Sequence, residues 1–191
     1  MLSDSSPAFI VDAMLGSMAR KLRIFGYDTV YFRSGNDQTL IAEASKEGRI
    51  IVTSDTALSQ LASRKRVTAI LISGDRDSQR FADLVEKANK EGVLLAAGEP
   101  RCAMCNGVLT RTRGAEARER LPPSVNRRHR TFYLCSNCGK FYWRGSHWAR
   151  LRTIQRLLAR KNTFNHSNVD ETHDSDVGPG PHDSVDRSRK A

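Results

Sequence analysis

Residues 9–32 have the sequence FIVDAMLGSMARKLRIFGYDTVYF, in which two short apolar runs flank one helical pattern. The runs predict strands at Ala8–Val11 and Thr29–Phe32, and the apolar spacing of residues 15–25 predicts a helix that ends at Gly26. A strand, a helix and a second strand in this order form a βαβ unit, whose two strands are parallel. This stretch therefore predicts an α/β fold.

The same alternation continues further along the chain. Strands are predicted at Arg49–Thr53 and Val67–Ile72, with a weak fifth near Val93–Leu95, and Gly48 is placed to end a second helix. Strands that alternate with helices give a mainly parallel sheet covered on both faces. We therefore predict a three-layer α/β domain over residues 8–98.

The net charge of +10 is distributed unevenly. Residues 1–98 carry +1, residues 99–161 carry +12 and residues 162–191 carry −3. A concentrated positive charge is typical of a surface that binds nucleic acid, and a solvated basic face is the alternative. The last segment has few large apolar residues, which predicts a disordered tail.

Membrane and secretory signals are not evident in the sequence. No stretch approaches the roughly 18 apolar residues that a membrane helix needs. The first residues lack the basic start and apolar run of a secretory signal. We expect a cytoplasmic protein with no membrane partner, in which thiols are free or bound to metal.

Two C-x2-C pairs, 29 residues apart, contain every cysteine of the chain. The four residues are Cys102, Cys105, Cys135 and Cys138. This spacing predicts a zinc ribbon with one closed, structural Zn²⁺ site, and redox pairs or disulfides are the alternatives. Gly107 and Gly139 follow the pairs, where tight turns require positive φ.

The cysteine module, residues 99–161, interleaves arginines with aromatic residues. This composition suits phosphate contact and base stacking on RNA, although packing in the ribbon core is the alternative role of each aromatic residue. The module is predicted to end in a helix from about Ser146 to Lys161. The candidate RNA contacts in the module are Arg127, Arg128, Arg130 and Arg144.

Aspartates follow each of the four main predicted strands: Asp12, Asp37, Asp55 and the pair Asp75 and Asp77. The carboxyl ends of parallel strands meet at one edge of a sheet, so these acids are expected there together. Clustered carboxylates repel one another unless a cation lies between them, and Mg²⁺ or Mn²⁺ suits such oxygen ligands. Helix capping is the alternative role for Asp37 and Asp55.

The chain resembles the Mut-seven C-terminal RNase domain family, a PIN-like fold fused to a zinc ribbon. The resemblance extends over residues 9–151. It is carried by FIVDAMLGSMARKLR at 9–23, GYD at 26–28, Asp37 ahead of Leu40-Ile41, VTSD at 52–55, both cysteine pairs and YWRGSHW at 142–148.

This resemblance implies a PIN-like three-layer domain, a zinc ribbon and roles for particular residues. Asp12, Asp37 and Asp55 would be the catalytic acids that bind Mg²⁺ or Mn²⁺. Arg20 and Arg23 look like the family's basic pair on the first helix, with contact to phosphate as the implied role and surface solubility as the alternative. Ser54 stands where the family often has a basic residue, so the resemblance does not support a phosphate contact at this position. Apart from the resemblance, His147 is a candidate proton carrier, with a structural role as the alternative.

Our leading hypothesis from the sequence is a metal-dependent endoribonuclease whose basic ribbon holds RNA. The second is a non-catalytic RNA-binding protein associated with the ribosome or with an RNA-processing complex. A receiver-like signalling domain also gathers acids at this edge, but it expects two adjacent acids after the first strand, where this chain has Asp12-Ala13. It also expects a lysine after the fifth strand, and Gly98-Glu99 does not supply one.

Overall fold

The computed structural model describes residues 6–95, 98–112 and 114–143. In its first range, strands alternate with helices, and a short 3-10 turn at Ala13–Leu15 follows the first strand. The strands are β1 (Phe9–Val11), β2 (Thr29–Tyr31), β3 (Ile50–Thr53) and β4 (Ala69–Leu71). The helices are α1 (Gly16–Ile24), α2 (Asp37–Glu47), α3 (Thr56–Arg64) and α4 (Asp77–Lys90). These elements confirm the predicted α/β class.

The four strands form one parallel sheet in the order β2-β1-β3-β4. β1 is bonded on both sides, so that Val11 is level with Tyr31 on one side and with Val52 on the other. Phe9 and Val11 pack in the core beneath α1 and α4, whereas Ile10 packs in the core beneath α2 and α3. Burial of each such side chain contributes about 1.5 to 3 kcal/mol. The prediction of a sheet covered on both faces is confirmed.

The helix ends follow local backbone preferences. Gly48 ends α2 in the left-handed conformation, with φ of 63°, and Gly26 follows α1 with φ of 97°. At the start of α2 the side chain of Asn36 accepts a hydrogen bond from Thr39 N at 2.9 Å. Asn36 is therefore the N-cap, and Asp37 is the first residue of the helix.

The predicted fifth strand near Val93–Leu95 is wrong. These residues lie outside any strand, although Leu95 is buried and Val93 packs against the core shared by α1 and α4. Val93 N donates to Ala88 O at 2.8 Å, a hydrogen bond that closes the carboxyl end of α4. The apolar side chains of this segment therefore cover the helical layer instead of extending the sheet.

The cysteine module forms an antiparallel sheet in the order β5-β6-β7. Its strands are β5 (Leu109–Thr112), β6 (Phe132–Cys135) and β7 (Phe141–Trp143), and two short helices, α5 (Gly114–Arg120) and α6 (Pro123–Arg128), lie between β5 and β6. Ala117, Phe132 and Phe141 form its small core. The sequence did not predict the two helices. The predicted C-terminal helix and the tail after residue 161 lie outside the described residues.

The module joins the α/β domain at the amino-terminal end of the parallel sheet. Gly98 N donates to Phe25 O at 2.8 Å, and the backbone of Gly98 lies against Gly26. A Cβ atom at Gly26 would lie 2.5 Å from the carbonyl carbon of Gly98. The junction is therefore a close backbone contact. Within the ranges described, none of the helices has both the length and the apolar character needed to cross a membrane.

We predict that Gly26→Ala lowers the free energy of unfolding by about 2 to 4 kcal/mol, because the methyl group combines positive-φ strain with a backbone clash. Gly48→Ala is the matched control: it also has positive φ, but no atom lies within 4 Å of the added carbon, so about 1 kcal/mol is expected. Urea unfolding of both variants in the presence of zinc measures the difference. Equal losses would show that the Gly98 contact contributes nothing.

Candidate active site and zinc centre

The predicted acids lie at one edge of the parallel sheet, after the carboxyl ends of three neighbouring strands. Asp12 directly follows β1, Asp55 follows β3 by two residues, and Asp37 begins α2 after β2. Because β2, β1 and β3 are adjacent and parallel, their carboxyl ends share this edge. Open α/β sheets bind ligands at such an edge.

Asp12 and Asp55 are connected through the hydroxyl group of Thr53. Thr53 Oγ1 donates to Asp12 Oδ2 at 2.9 Å and accepts from Asp55 N at 2.9 Å. Thr53 is fully buried, so these two hydrogen bonds satisfy a hydroxyl that would otherwise be costly to desolvate. The result is a fixed relative position for the two acidic residues.

Asp55 also caps α3, as its alternative role predicted. Its Oδ1 accepts from Ala57 N at 2.7 Å and from Leu58 N at 3.2 Å. The carboxylate thus commits one oxygen to the helix and keeps Oδ2 available. Asp37, by contrast, is exposed, and capping of its helix is done by Asn36.

The three aspartates share an edge without forming a compact ligand cluster. In the described part of the chain, only the four cysteines form a group of at least three His, Cys, Asp or Glu residues whose ligand atoms all lie within 4.8 Å of one another. A cation bound directly by all three aspartates would require side-chain rotation, whereas a hydrated cation can bridge longer gaps through its water ligands.

A fourth acid, Asp77, lies at the start of α4, at the same carboxyl edge of the sheet, and contacts two residues of α1. Ser17 Oγ donates to Asp77 Oδ1 at 2.7 Å, and Lys21 Nζ lies 2.8 Å from Oδ2. The hydrogen bonds from Lys21 and Ser17 lower the pKa of this carboxyl below its ordinary value. The sequence predicts the position of Asp77 after β4 but not these two partners, which stand four residues apart on one helix face.

The predicted RNA contacts have different environments. Arg20 is exposed on α1, but Arg23 is only 6% exposed, and its guanidinium donates to backbone carbonyl groups, a geometry that favours a structural role over phosphate contact. In the ribbon, the three predicted arginines that the structure describes are exposed: Arg127, Arg128 and Arg130. Arg144 and His147 lie outside the described residues.

The cysteine geometry fits a tetrahedral zinc site. Cys102 Sγ and Cys138 Sγ lie 3.6 Å apart, and Cys105 Sγ and Cys135 Sγ lie 3.4 Å apart. Zinc bound to four thiolates at about 2.3 Å separates the sulfur atoms by about 3.8 Å. The four cysteines therefore have both the chemistry and nearly the spacing that zinc requires.

Local hydrogen bonds favour the thiolate form of Cys102. Burial opposes its ionisation, but the hydroxyl of Tyr142, 3.0 Å from Sγ, and the backbone amides of Cys105 and Met104 outweigh that cost. Together they lower the pKa of the Cys102 thiol to about 6. A thiolate is the form that binds metal.

The turns of the two cysteine pairs differ from the prediction in one respect. Gly139 has φ of 66°, as predicted, but in the first pair the residue with positive φ is Asn106, at 69°, and not Gly107. Gly107 is required for a different reason, since an added Cβ would lie 2.9 Å from Cys135 Sγ and 2.9 Å from Asn137 Cγ. A side chain there would displace a cysteine of the candidate zinc site.

The structure thus combines a parallel α/β domain, with acids at the carboxyl edge of its sheet, and a ribbon whose four cysteines are placed to hold a metal ion. The model of the Mut7-C RNAse domain matches residues 7–155, and the chain therefore belongs to the Mut7-C RNAse domain family. No curated protein and no solved structure matches the chain. Membership confirms the family resemblance and connects the chain to nuclease chemistry, with RNA as the substrate class.

We predict that the purified chain contains one zinc ion and that Cys135→Ser loses most of it, because one thiolate of the tetrahedral set is removed. Ser136→Ala, at the neighbouring exposed position, is the control and should retain zinc. Metal analysis by mass spectrometry after gel filtration measures the content. Full zinc retention by Cys135→Ser would contradict the assignment of this cysteine as a ligand.

Proposed function

We propose that this protein is a metal-dependent endoribonuclease of the cytoplasm that hydrolyses RNA phosphodiester bonds. The observation that carries the proposal is the connection of Asp12 and Asp55 through Thr53 at the carboxyl edge of the sheet, in a chain that belongs to an RNase domain family. Carboxylates held at such an edge are suited to a divalent cation.

Asp12, Asp37 and Asp55 are the residues proposed to hold Mg²⁺ or Mn²⁺. Asp12 uses Oδ2 to bind Thr53, and Asp55 uses Oδ1 to cap α3, so each retains one carboxylate oxygen for a cation or its water ligands. Such a cation activates water and stabilises the leaving oxygen of a phosphodiester. The chain's own part is to fix Asp12 and Asp55 relative to each other before substrate arrives.

The ribbon is proposed to hold the RNA. Arg127 and Arg128 lie in the last turn of α6, and Arg130 follows it, so three exposed cationic groups occur within four residues. Phosphate contacts of this kind provide affinity without sequence selection. Near the acids, Met14 is 71% exposed and offers apolar surface against which a nucleobase can pack.

A non-catalytic RNA-binding protein, associated with the ribosome or an RNA-processing complex, is the second candidate. The observation in its favour is the spread of the three aspartates, which do not form a compact ligand group within the described residues. In that case the acidic edge has no cation to hold, and the ribbon alone accounts for contact with RNA.

We predict that the wild-type chain cleaves labelled RNA with Mg²⁺ or Mn²⁺, that EDTA stops cleavage and that Asp12→Asn reduces the rate at least about 100-fold by removing a charged ligand. Glu91→Gln, an exposed acid at the far end of α4, is the matched control and should leave the rate unchanged. Gel analysis of time courses measures the rate. RNA binding without cleavage in either metal would favour the second candidate.

We predict that replacing Arg127, Arg128 and Arg130 together by Ala weakens RNA binding and reduces the slope of log affinity against log salt by up to about 2, because each lost single-strand phosphate contact contributes about 0.7. Arg64→Ala, an exposed arginine at the end of α3, is the control. Fluorescence anisotropy over a salt series measures both quantities. An unchanged slope would remove these residues from the proposed RNA surface.

A further inference from the structure

Arg23 connects α1 directly to the first cysteine pair. Its Nη1 donates to Ala103 O at 3.1 Å and to Met104 O at 2.9 Å. Ala103 and Met104 are the two residues between Cys102 and Cys105. Its Nε donates to Thr29 O at 2.9 Å, and its own backbone oxygen accepts from Arg101 N at 2.8 Å. One buried guanidinium group is therefore shared between the α/β domain and the turn that presents two zinc ligands.

A second set of contacts joins the same turn to the start of β2. Asn106 Nδ2 donates to Asp28 Oδ1 at 2.7 Å, and Asn106 Oδ1 accepts from Thr29 N at 3.1 Å. Arg49 Nη1 donates to Asp28 Oδ1 at 3.0 Å and so fixes Asp28 from the β3 side. β2 lies at the edge of the sheet, and the Asn106 side chain accepts from Thr29 N as a neighbouring strand would. Without Asn106 this backbone N–H would be unpaired.

These contacts depend on the shape of the turn between Cys102 and Cys105. A zinc ion bound to both Cys102 and Cys105 would hold the turn in the shape in which the carbonyl groups of Ala103 and Met104 accept from Arg23, because zinc holds thiolates together against their mutual repulsion. Without that shape, a guanidinium that is 6% exposed would lose two acceptors, which is costly for a buried charge.

We propose that zinc binding stabilises the α/β domain as well as the ribbon, through Arg23 and Asn106, and that these two residues are positioning residues of the zinc site. The coupling is reciprocal: zinc orders the acceptors of Arg23, and Arg23 pre-forms the turn that binds zinc. This inference rests on zinc binding by the four cysteines and is independent of any cleavage of RNA.

The first experiment measures zinc affinity of the 191-residue chain by competition with a chromogenic chelator. Arg23→Met and Asn106→Gly are each expected to weaken zinc binding about 10-fold to 100-fold, the usual effect of losing a group that orients metal ligands. Glycine is chosen at position 106 because it accepts the positive φ found there. Arg20→Met, an exposed arginine on the same helix, is the matched control and should bind zinc as the wild type does.

The second experiment follows amide hydrogen exchange with and without zinc. Zinc removal from the wild type should reduce protection in residues 16–31, which include α1 and β2, and not only in the ribbon. In Asn106→Gly this effect of zinc should be smaller. If Arg23→Met does not fold, Asn106→Gly decides the question alone, because it removes no buried charge.

Two results would overturn the proposal. The first is wild-type zinc affinity in Asn106→Gly, which would show that the turn is formed without help from the α/β domain. The second is unchanged exchange in residues 16–31 after the wild type has lost its zinc. Failure of RNA cleavage in the experiments on Asp12 would leave either result unaffected, so the two proposals can fail separately.

Discussion

The parallel pairing of β1 on both of its sides is the constraint on which the rest of the α/β domain depends. Because β2, β1 and β3 run in the same direction, their carboxyl ends meet at one edge and their amino ends at the other. Asp12 and Asp55 are brought together at the first edge, whereas at the second edge Asp28, which is bonded to Arg49, accepts a hydrogen bond from Asn106 of the cysteine module. The acidic site and the contacts with the cysteine module both follow from the parallel arrangement of these three strands.

Features set by local periodicity could be predicted from the sequence. A strand buried on both faces requires a continuous apolar run such as Phe9–Val11, and a tetrahedral zinc site requires thiolates at short, regular spacing. The same reasoning failed at Val93–Leu95, because an apolar run is needed equally by a strand and by a segment that covers a helix. Whether such a run becomes a strand depends on whether a free sheet edge lies nearby, and composition does not reveal this.

Contacts between distant parts of the chain could not be predicted. Arg20 and Arg23 stand three residues apart on α1 and have the same chemistry, yet one is exposed and the other binds carbonyl groups of the first cysteine pair. At the start of α2, Asn36 and Asp37 are both good capping residues, and only the folded backbone shows that Asn36 is the N-cap. The sequence placed three aspartates at the right edge, but it did not indicate how Thr53 joins two of them.

The attachment of the cysteine module at the amino ends of the strands has a consequence for substrate length. Three residues of strand span about 10 Å, so the first cysteine pair is at least that far along the sheet from Asp12. In the proposed nuclease, nucleotides near that pair are not the nucleotides at the scissile bond. If this proposal is correct, an oligonucleotide shorter than this distance would reach only one end of the sheet, whereas a longer strand would span both.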